Sequence, residues 1–188
     1  MRRAALYVLA AAAFAAAVPA RRAAATELAG VTMPDTLTVG EKTLRLNGLG
    51  LRKKLMFKVY VGGLYLETPS KDAAAILATD EAKAVRMTFL RDVSKGQLKD
   101  AFADGFEANA KEKAAAQKAA IDKLYALLPD VKETQTLSLS YLPGRGTTVS
   151  IGDKALGVIE GREFAEALFA LWLGPKPPSD DLKKGMLG

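Results

Sequence analysis

Arg52 and Tyr60 are the residues of this sequence whose chemistry best suits a binding site. Both belong to the stretch NGLGLRKKLMFKVYVGGLYLE, residues 47–67. A guanidinium removed from water is costly unless an anion meets it, and its planar fork matches a carboxylate. A tyrosine hydroxyl adds a second donor and leaves an apolar ring in the wall. If both side chains point between a sheet and its helices, they predict an anion at the mouth of an apolar pocket. The anion could equally be a phenolate or enolate that the arginine stabilises.

The amino-acid composition excludes several kinds of chemistry. The 188 residues include no His and no Cys. This rules out a Ser-His-Asp triad, a cysteine nucleophile and an imidazole base. It also rules out zinc or copper sites with imidazole or thiolate ligands, so we predict no metal and no cofactor.

Residues 1–25 have the features of a secretory signal peptide. A basic start at Arg2 and Arg3 precedes an apolar run from Ala5 to Val18 and small residues near Ala20. The run is shorter than the about 20 residues of a membrane span, although an uncleaved anchor is the alternative. We therefore predict a signal peptide over 1–25 and a single domain over 26–188. The mature protein would be periplasmic or secreted, with no stable membrane span after cleavage.

The basic charge of the chain comes largely from this leader. Without the four arginines of residues 1–25, the formal net charge falls from +6 to +2. So small a charge argues against nucleic acid as a partner.

The segment from Leu55 to Leu66 is apolar on both alternating faces, which predicts a central strand covered on both sides. Gly62 and Gly63 within it indicate either a bulge or a close approach to the backbone. One face carries Phe57, Val59, Val61, Gly63 and Tyr65, and the other carries Met56, Lys58, Tyr60, Gly62, Leu64 and Leu66.

The remaining pattern predicts an α+β fold, in which hairpins form a mostly antiparallel sheet and helices cover it. Residues 47–50 are predicted as a turn, and Ser70 is predicted to cap a helix that starts at Lys71. Further strands are predicted at 31–39, 42–46, 84–90, 134–142 and 147–151, and further helices after Ser94, over 111–128 and over 162–173.

Two stretches carry a resemblance to a known family. Residues 48–67 (GLGLRKKLMFKVYVGGLYLE) resemble the first half of the chalcone isomerase fold, and residues 157–174 (GVIEGREFAEALFALWLG) resemble its closing turn and helix. The ending WLGPKPPSDDLKKGMLG is similar to that of bacterial exported members. The resemblance covers roughly residues 31–188. It implies an open-faced β-sandwich with a mostly antiparallel sheet packed by helices.

The resemblance implies a binder more than an enzyme. Plant members cyclise chalcones, whereas a second branch binds fatty acids and places a tyrosine in a KVY context. Arg52 matches the arginine of both branches, and Tyr60 lies in Lys58-Val59-Tyr60. The enzymes' later tyrosine and asparagine have no match near residues 91–100. Ala155 and Leu156 replace their last hydroxyl. We therefore expect a non-catalytic binder of a small amphipathic anion such as a fatty acid, with ligand contacts from Arg52, Tyr60, Gly62 and Leu64.

Two alternatives remain. In the first, the protein is an intramolecular lyase or isomerase acting on an enone or phenolic substrate, with Arg52 as the catalytic residue that stabilises an oxyanion. In the second, it binds a protein partner, and Arg52 pairs with an internal carboxylate such as Glu67. Arg52 as a solvated turn charge and Tyr60 as a core aromatic are the simplest structural interpretations.

Overall fold

The computed structural model of the protein describes residues 25–188. The predicted signal peptide, except for its last residue, lies outside this range. Within it, strands and helices build one mixed architecture with a curled antiparallel sheet, which confirms the predicted α+β class. Across residues 25–188, no helix is at once long enough and apolar enough to cross a bilayer.

The main sheet has seven strands, and their spatial order follows the chain. Every neighbouring pair is antiparallel, because each connection is a hairpin or returns through helices on one side. Its strands are β3 (Thr36–Val39), β4 (Lys42–Lys54), β5 (Phe57–Leu66), β6 (Lys83–Phe89), β7 (Thr136–Leu142), β8 (Gly146–Ile151) and β9 (Lys154–Ile159). Two earlier strands, β1 (Ala25–Leu28) and β2 (Val31–Pro34), form a separate hairpin.

Six helices occur in the described range. They are α1 (Ala73–Ala78), α2 (Lys95–Asn109), α3 (Lys111–Ala116), α4 (Lys118–Leu127), α5 (Arg162–Leu173) and α6 (Asp180–Leu187). The largest core cluster joins the apolar sides of α2, α4, α5 and α6 to one face of the sheet. Its centre is α5, where every residue from Ala167 to Leu173 is buried.

The central strand predicted over Leu55–Leu66 is observed as β5, and it is buried from Tyr60 to Leu66. Its predicted start is wrong, because Leu55 and Met56 form an exposed turn and Phe57 and Lys58 are also exposed. Tyr60 and Leu64 lie in the helix-side core. Val61 and Tyr65 face the other way, Val61 against the β1–β2 hairpin and Tyr65 against β3, β4 and β6. Burial on both faces explains why this strand lacks the polar alternation of a half-exposed strand.

Residues 47–50 are not the turn that their glycines predicted. They continue β4 as a strand, with a register shift between Leu46 and Gly48. The glycines are needed because α6 lies against this strand at backbone distance. A Cβ on Gly50 would stand 2.2 Å from the carbonyl oxygen of Leu182, and one on Gly48 would stand 2.2 Å from that of Gly185.

Other boundaries also differ from the sequence prediction. Helix α1 is capped by Asp72, whose carboxylate accepts from the amides of Ala74 and Ala75, and not by Ser70. The predicted helix over 111–128 is divided between α3 and α4 at Gln117. The predicted strand over 31–39 is divided at Asp35, so that β2 and β3 belong to different sheets. The helix predicted after Ser94 is confirmed as α2, and Ser94 and Gln97 form a capping box at its start.

Candidate functional site

Arg52 and Tyr60 lie directly opposite each other on neighbouring strands. Strand β4 runs antiparallel to β5, and the register pairs Arg52 with Tyr60. Directly paired residues share one face of a sheet, so both belong to the side that the helices cover. The register shifts between Arg52 and Lys53, which places a β-bulge beside the pair. The structure thus brings together the two residues that the sequence singled out.

Tyr60 is held in the helix-side core by contacts with Trp172 and Phe89. Its hydroxyl accepts a hydrogen bond of 3.1 Å from the indole Nε1 of Trp172 on α5. Its ring contacts Phe89 of β6 with centroids 5.5 Å apart. Trp172 is in turn braced edge-on by Phe102 of α2. Trp172 belongs to the closing helix predicted over 162–173, and the structure shows it as the hydrogen-bond partner of Tyr60.

The Tyr60 hydroxyl stays protonated at ordinary pH. Burial raises the pKa of Tyr60 to about 12, while the hydrogen bond from Trp172 and the positive charge of Arg52 act in the opposite direction. Because the indole donates to the hydroxyl oxygen, the hydroxyl hydrogen remains free to donate elsewhere. The group is therefore a neutral donor beside a cation.

Arg52 is half-buried, and its Nη1 donates to the backbone carbonyl of Lys53. None of the six ion pairs formed within residues 25–188 includes it. The hypothesis that Arg52 pairs with Glu67 is wrong, since that carboxylate accepts from Nζ of Lys42 at 2.8 Å and from the amide of Ala82 at 2.9 Å. The guanidinium is thus available to an external anion.

Gly62 and Leu64 continue the row that Tyr60 begins on the helix side of β5. A Cβ on Gly62 would meet Cδ1 of Leu182 at 3.1 Å and Sδ of Met186 at 3.5 Å. Gly62 pairs regularly with Gly50 of β4 and with Met87 of β6, so it does not form a bulge. Its lack of a side chain instead allows another element to approach closely. The approaching element is α6. Leu64 is fully buried beneath the same helical layer.

A hollow of about 320 Å³ lies elsewhere, beside α1. Lys83 is one of its lining residues, and this residue is 4% exposed. Its Nζ donates to the carbonyls of Ile76 and Thr79, at 2.8 Å for Thr79. Burial lowers the pKa of the Lys83 ammonium. These bonds satisfy the last carbonyls of α1, so Lys83 is explained as a cap of that helix.

Two further cations, Lys58 and Arg91, lie near Arg52 and Tyr60 and are exposed. Lys58 lies at the solvent-facing start of β5. Arg91 stacks over the ring of Phe57, with Cζ 5.0 Å from the ring centroid. Among residues 25–188, no three His, Cys, Asp or Glu side chains are grouped so as to hold a metal ion.

Comparison with solved structures gives a match for the fold. A fatty-acid binding protein of Arabidopsis thaliana superposes with a TM-score of 0.67 at 15% sequence identity, covering 87% of this chain and 96% of that one. Identity this low establishes the shared fold alone. No curated protein matches the sequence.

The family comparison extends over the whole described part of the chain. The sequence model described as chalcone isomerase-like matches residues 25–188. The match includes β4, which carries Arg52, and β5, which carries Lys58-Val59-Tyr60. It also includes the closing helices α5 and α6. These are the parts of the sequence in which the resemblance was noted. The protein therefore belongs to the chalcone isomerase-like family.

Proposed function

We propose that this protein binds a fatty acid, or a small amphipathic anion of the same kind, without transforming it. The observation that carries the proposal is the pairing of Arg52 with Tyr60 on the helix side of the sheet. One residue supplies a cation that forms no ion pair within residues 25–188, and the other supplies a neutral buried donor. The shared fold with a plant fatty-acid binding protein supports the same interpretation.

The carboxylate would lie between these two side chains. The guanidinium now donates to the Lys53 carbonyl, a contact at the end of the strand that an incoming anion can replace. Charged hydrogen bonds of this type contribute about 1.5–3 kcal/mol each. Tyr60 would add a second bond from its free hydroxyl hydrogen, because Trp172 holds the oxygen from the other side.

The acyl chain would follow β5 from Tyr60 past Gly62 toward Leu64. Leu182 and Met186 now cover Gly62, so the chain must displace these α6 side chains. Methionine repacks easily, since it is unbranched and flexible. Burial of roughly ten methylenes at about 0.8 kcal/mol each gives about 8 kcal/mol, less several kcal/mol for association. With the carboxylate contact, the affinity would be around micromolar.

The leader of the chain suggests where this binding takes place. We propose export through the predicted signal peptide and action in the periplasm or outside the cell.

Native mass spectrometry of the protein purified from cells tests the proposal. We expect a bound species with the mass of an acyl chain, and titration of the delipidated protein with oleate should give saturable binding. Arg52→Ala should weaken oleate binding about 10- to 100-fold. Arg145→Ala is the control, since Arg145 is exposed at the β7–β8 turn.

Unchanged oleate affinity in Arg52→Ala would overturn the assigned contact. Cyclisation of a chalcone faster than in buffer, lost in Arg52→Ala, would replace the binder with an isomerase. That outcome would give Arg52 the role of stabilising an oxyanion, which its charge also permits.

A further inference from the structure

The turn between β4 and β5 exposes large apolar side chains. We call residues 53–58, Lys53-Lys54-Leu55-Met56-Phe57-Lys58, the hairpin tip. Leu55 is 90% exposed, Met56 86% and Phe57 54%. Single exposed apolar residues are ordinary on protein surfaces, but three in succession on one protruding turn require an explanation.

Local folding does not explain these residues. The turn has two residues, Leu55 and Met56, and Leu55 adopts φ of 55°. Such turns favour Asn, Asp or Gly, because a side chain with Cβ is strained in the left-handed region. Leu55 is therefore unfavourable in two ways, because its backbone is strained and its apolar side chain is exposed to water. A residue that breaks a local rule without an internal contact points to an external one.

The charges around the tip are positive and poorly neutralised. Lys53 and Lys58 are directly opposite in the strand register, an arrangement that costs stability because like charges repel. Lys54 is a third lysine of the tip, and Arg91 adds a fourth cation over the Phe57 ring. The acidic neighbour of Arg91, Asp92, already accepts from Lys132 at 2.8 Å. An apolar apex surrounded by cations therefore faces solvent.

We propose that the hairpin tip docks onto an anionic phospholipid bilayer. Leu55 and Met56 would enter the boundary between headgroups and acyl chains, while Lys53, Lys54 and Lys58 remain among the lipid phosphates. Lysine suits this position because its apolar stem can lie in the boundary while its ammonium stays hydrated. Each cation near an anionic surface adds to the attraction, and the apolar apex supplies the insertion.

Docking would also set the orientation of the protein on the bilayer. Arg52 lies near the end of β4, three positions before Leu55 of the turn, a distance of about 10 Å at the usual rise per residue. The mouth of the proposed carboxylate site would then face the headgroups. The docking proposal is based only on the residues of the hairpin tip, so it does not depend on whether the protein binds a fatty acid.

A tryptophan probe at the tip provides a site-resolved test. The chain is used as cells deliver it, with its N-terminus established by intact mass. Met56→Trp is compared with Val158→Trp, since Val158 is 41% exposed on β9, far along the sheet from the tip. Trp172 is buried and present in every variant, so its signal in the unsubstituted protein is subtracted. With phosphatidylglycerol-containing vesicles whose acyl chains are brominated, the remaining fluorescence should be quenched for the tryptophan at position 56 and not for the one at 158. Equal quenching at both positions, or none at 56, overturns the proposal.

Vesicle flotation separates the apolar and electrostatic contributions. Leu55→Ser with Met56→Ser should weaken binding to phosphatidylglycerol-containing vesicles at least about tenfold. Lys53→Glu with Lys54→Glu should weaken vesicle binding by the same factor. Lys71→Glu with Lys123→Glu is the control, since it makes an equal charge change at exposed sites away from the tip, and vesicle binding should stay within about twofold. Oleate titration without vesicles reports the binder function separately. Self-association abolished by Leu55→Ser, with no vesicle binding, would overturn docking and assign the tip to a contact between two copies.

Discussion

The indole Nε1 of Trp172 donates to the hydroxyl oxygen of Tyr60 across 112 positions of sequence. The bond joins the closing helix α5 to the central strand β5 inside the core. It fixes the tyrosine ring and leaves the hydroxyl hydrogen directed elsewhere. The same pair therefore contributes to the stability of the fold and to the donor character of the proposed site.

A double-mutant cycle on this pair should reveal coupling. Tyr60→Phe leaves the buried Trp172 N–H unpaired, so we expect it to lower the free energy of unfolding by about 1–3 kcal/mol. In a Trp172→Phe background the same change should cost less, because the donor is already gone. Urea unfolding of the four proteins measures this. Additive effects would show that the hydrogen bond contributes nothing to stability.

The close approach of α6 to β4 predicts strong intolerance at Gly50. Gly50→Ala would place a Cβ 2.2 Å from the Leu182 carbonyl, so α6 must shift, at a cost of about 3 kcal/mol. Gly96→Ala is the matched control, because its Cβ would meet only Ser94 Oγ at 3.8 Å, and alanine favours the helix. Thermal unfolding compares the two. Equal stability of both variants would refute the tight packing of α6.

Alkaline pH should destabilise the protein through its buried tyrosine. The pKa of Tyr60 is raised from 10.0 to about 12, so its contribution is complete below pH 10 and is lost as pH rises toward 12. Between pH 8 and pH 11 the loss attributable to Tyr60 should be about 1.4 kcal/mol. Tyr60→Phe should remove that part of the pH dependence, measured by urea unfolding at both pH values. Tyr125→Phe, at a less buried ring, should flatten the profile less.

Lys83 should control the stability of the end of α1. Lys83→Met keeps an apolar side chain but removes the donors to the Ile76 and Thr79 carbonyls. Hydrogen exchange of the α1 amides should accelerate at least about tenfold, because the helix end frays. Lys95→Met is the control, since Nζ of Lys95 makes an exposed bond of 3.1 Å to the Ala126 carbonyl. Unchanged exchange in α1 would show that Lys83 is not its cap.

The sequence allowed the two candidate site residues to be identified, but not their relative positions. Arg52 and Tyr60 were identifiable because their residue types suit an anion and because they match a family pattern. Their direct pairing depends on the length of the hairpin and on the bulge beside it, which no local pattern specifies. Trp172 was not recognisable as part of the site, since an apolar helix face gives no sign of which residue donates to a distant hydroxyl.

The error at residues 47–50 has a tertiary cause. Gly48 and Gly50 resemble turn residues, yet they lie within a long strand because α6 must pack against their backbone. The sequence shows that a small residue is required at these positions, but it does not show whether a turn or a packed helix requires it. Helix α5, in contrast, was predicted with its observed bounds, because its apolar residues, its acidic first turn and its Gly174 stop are local signals.

The sequence by itself determined the α+β class, the central doubly buried strand, the closing helix and the chemical types available for binding. These follow from hydrophobic periodicity, capping residues and composition, which act over a few residues of chain. Only the tertiary structure decided that Arg52 faces Tyr60, that Trp172 holds the hydroxyl, and that α6 covers Gly62. Such contacts join residues far apart in sequence, and they form only when the sheet register and the helix positions are set together.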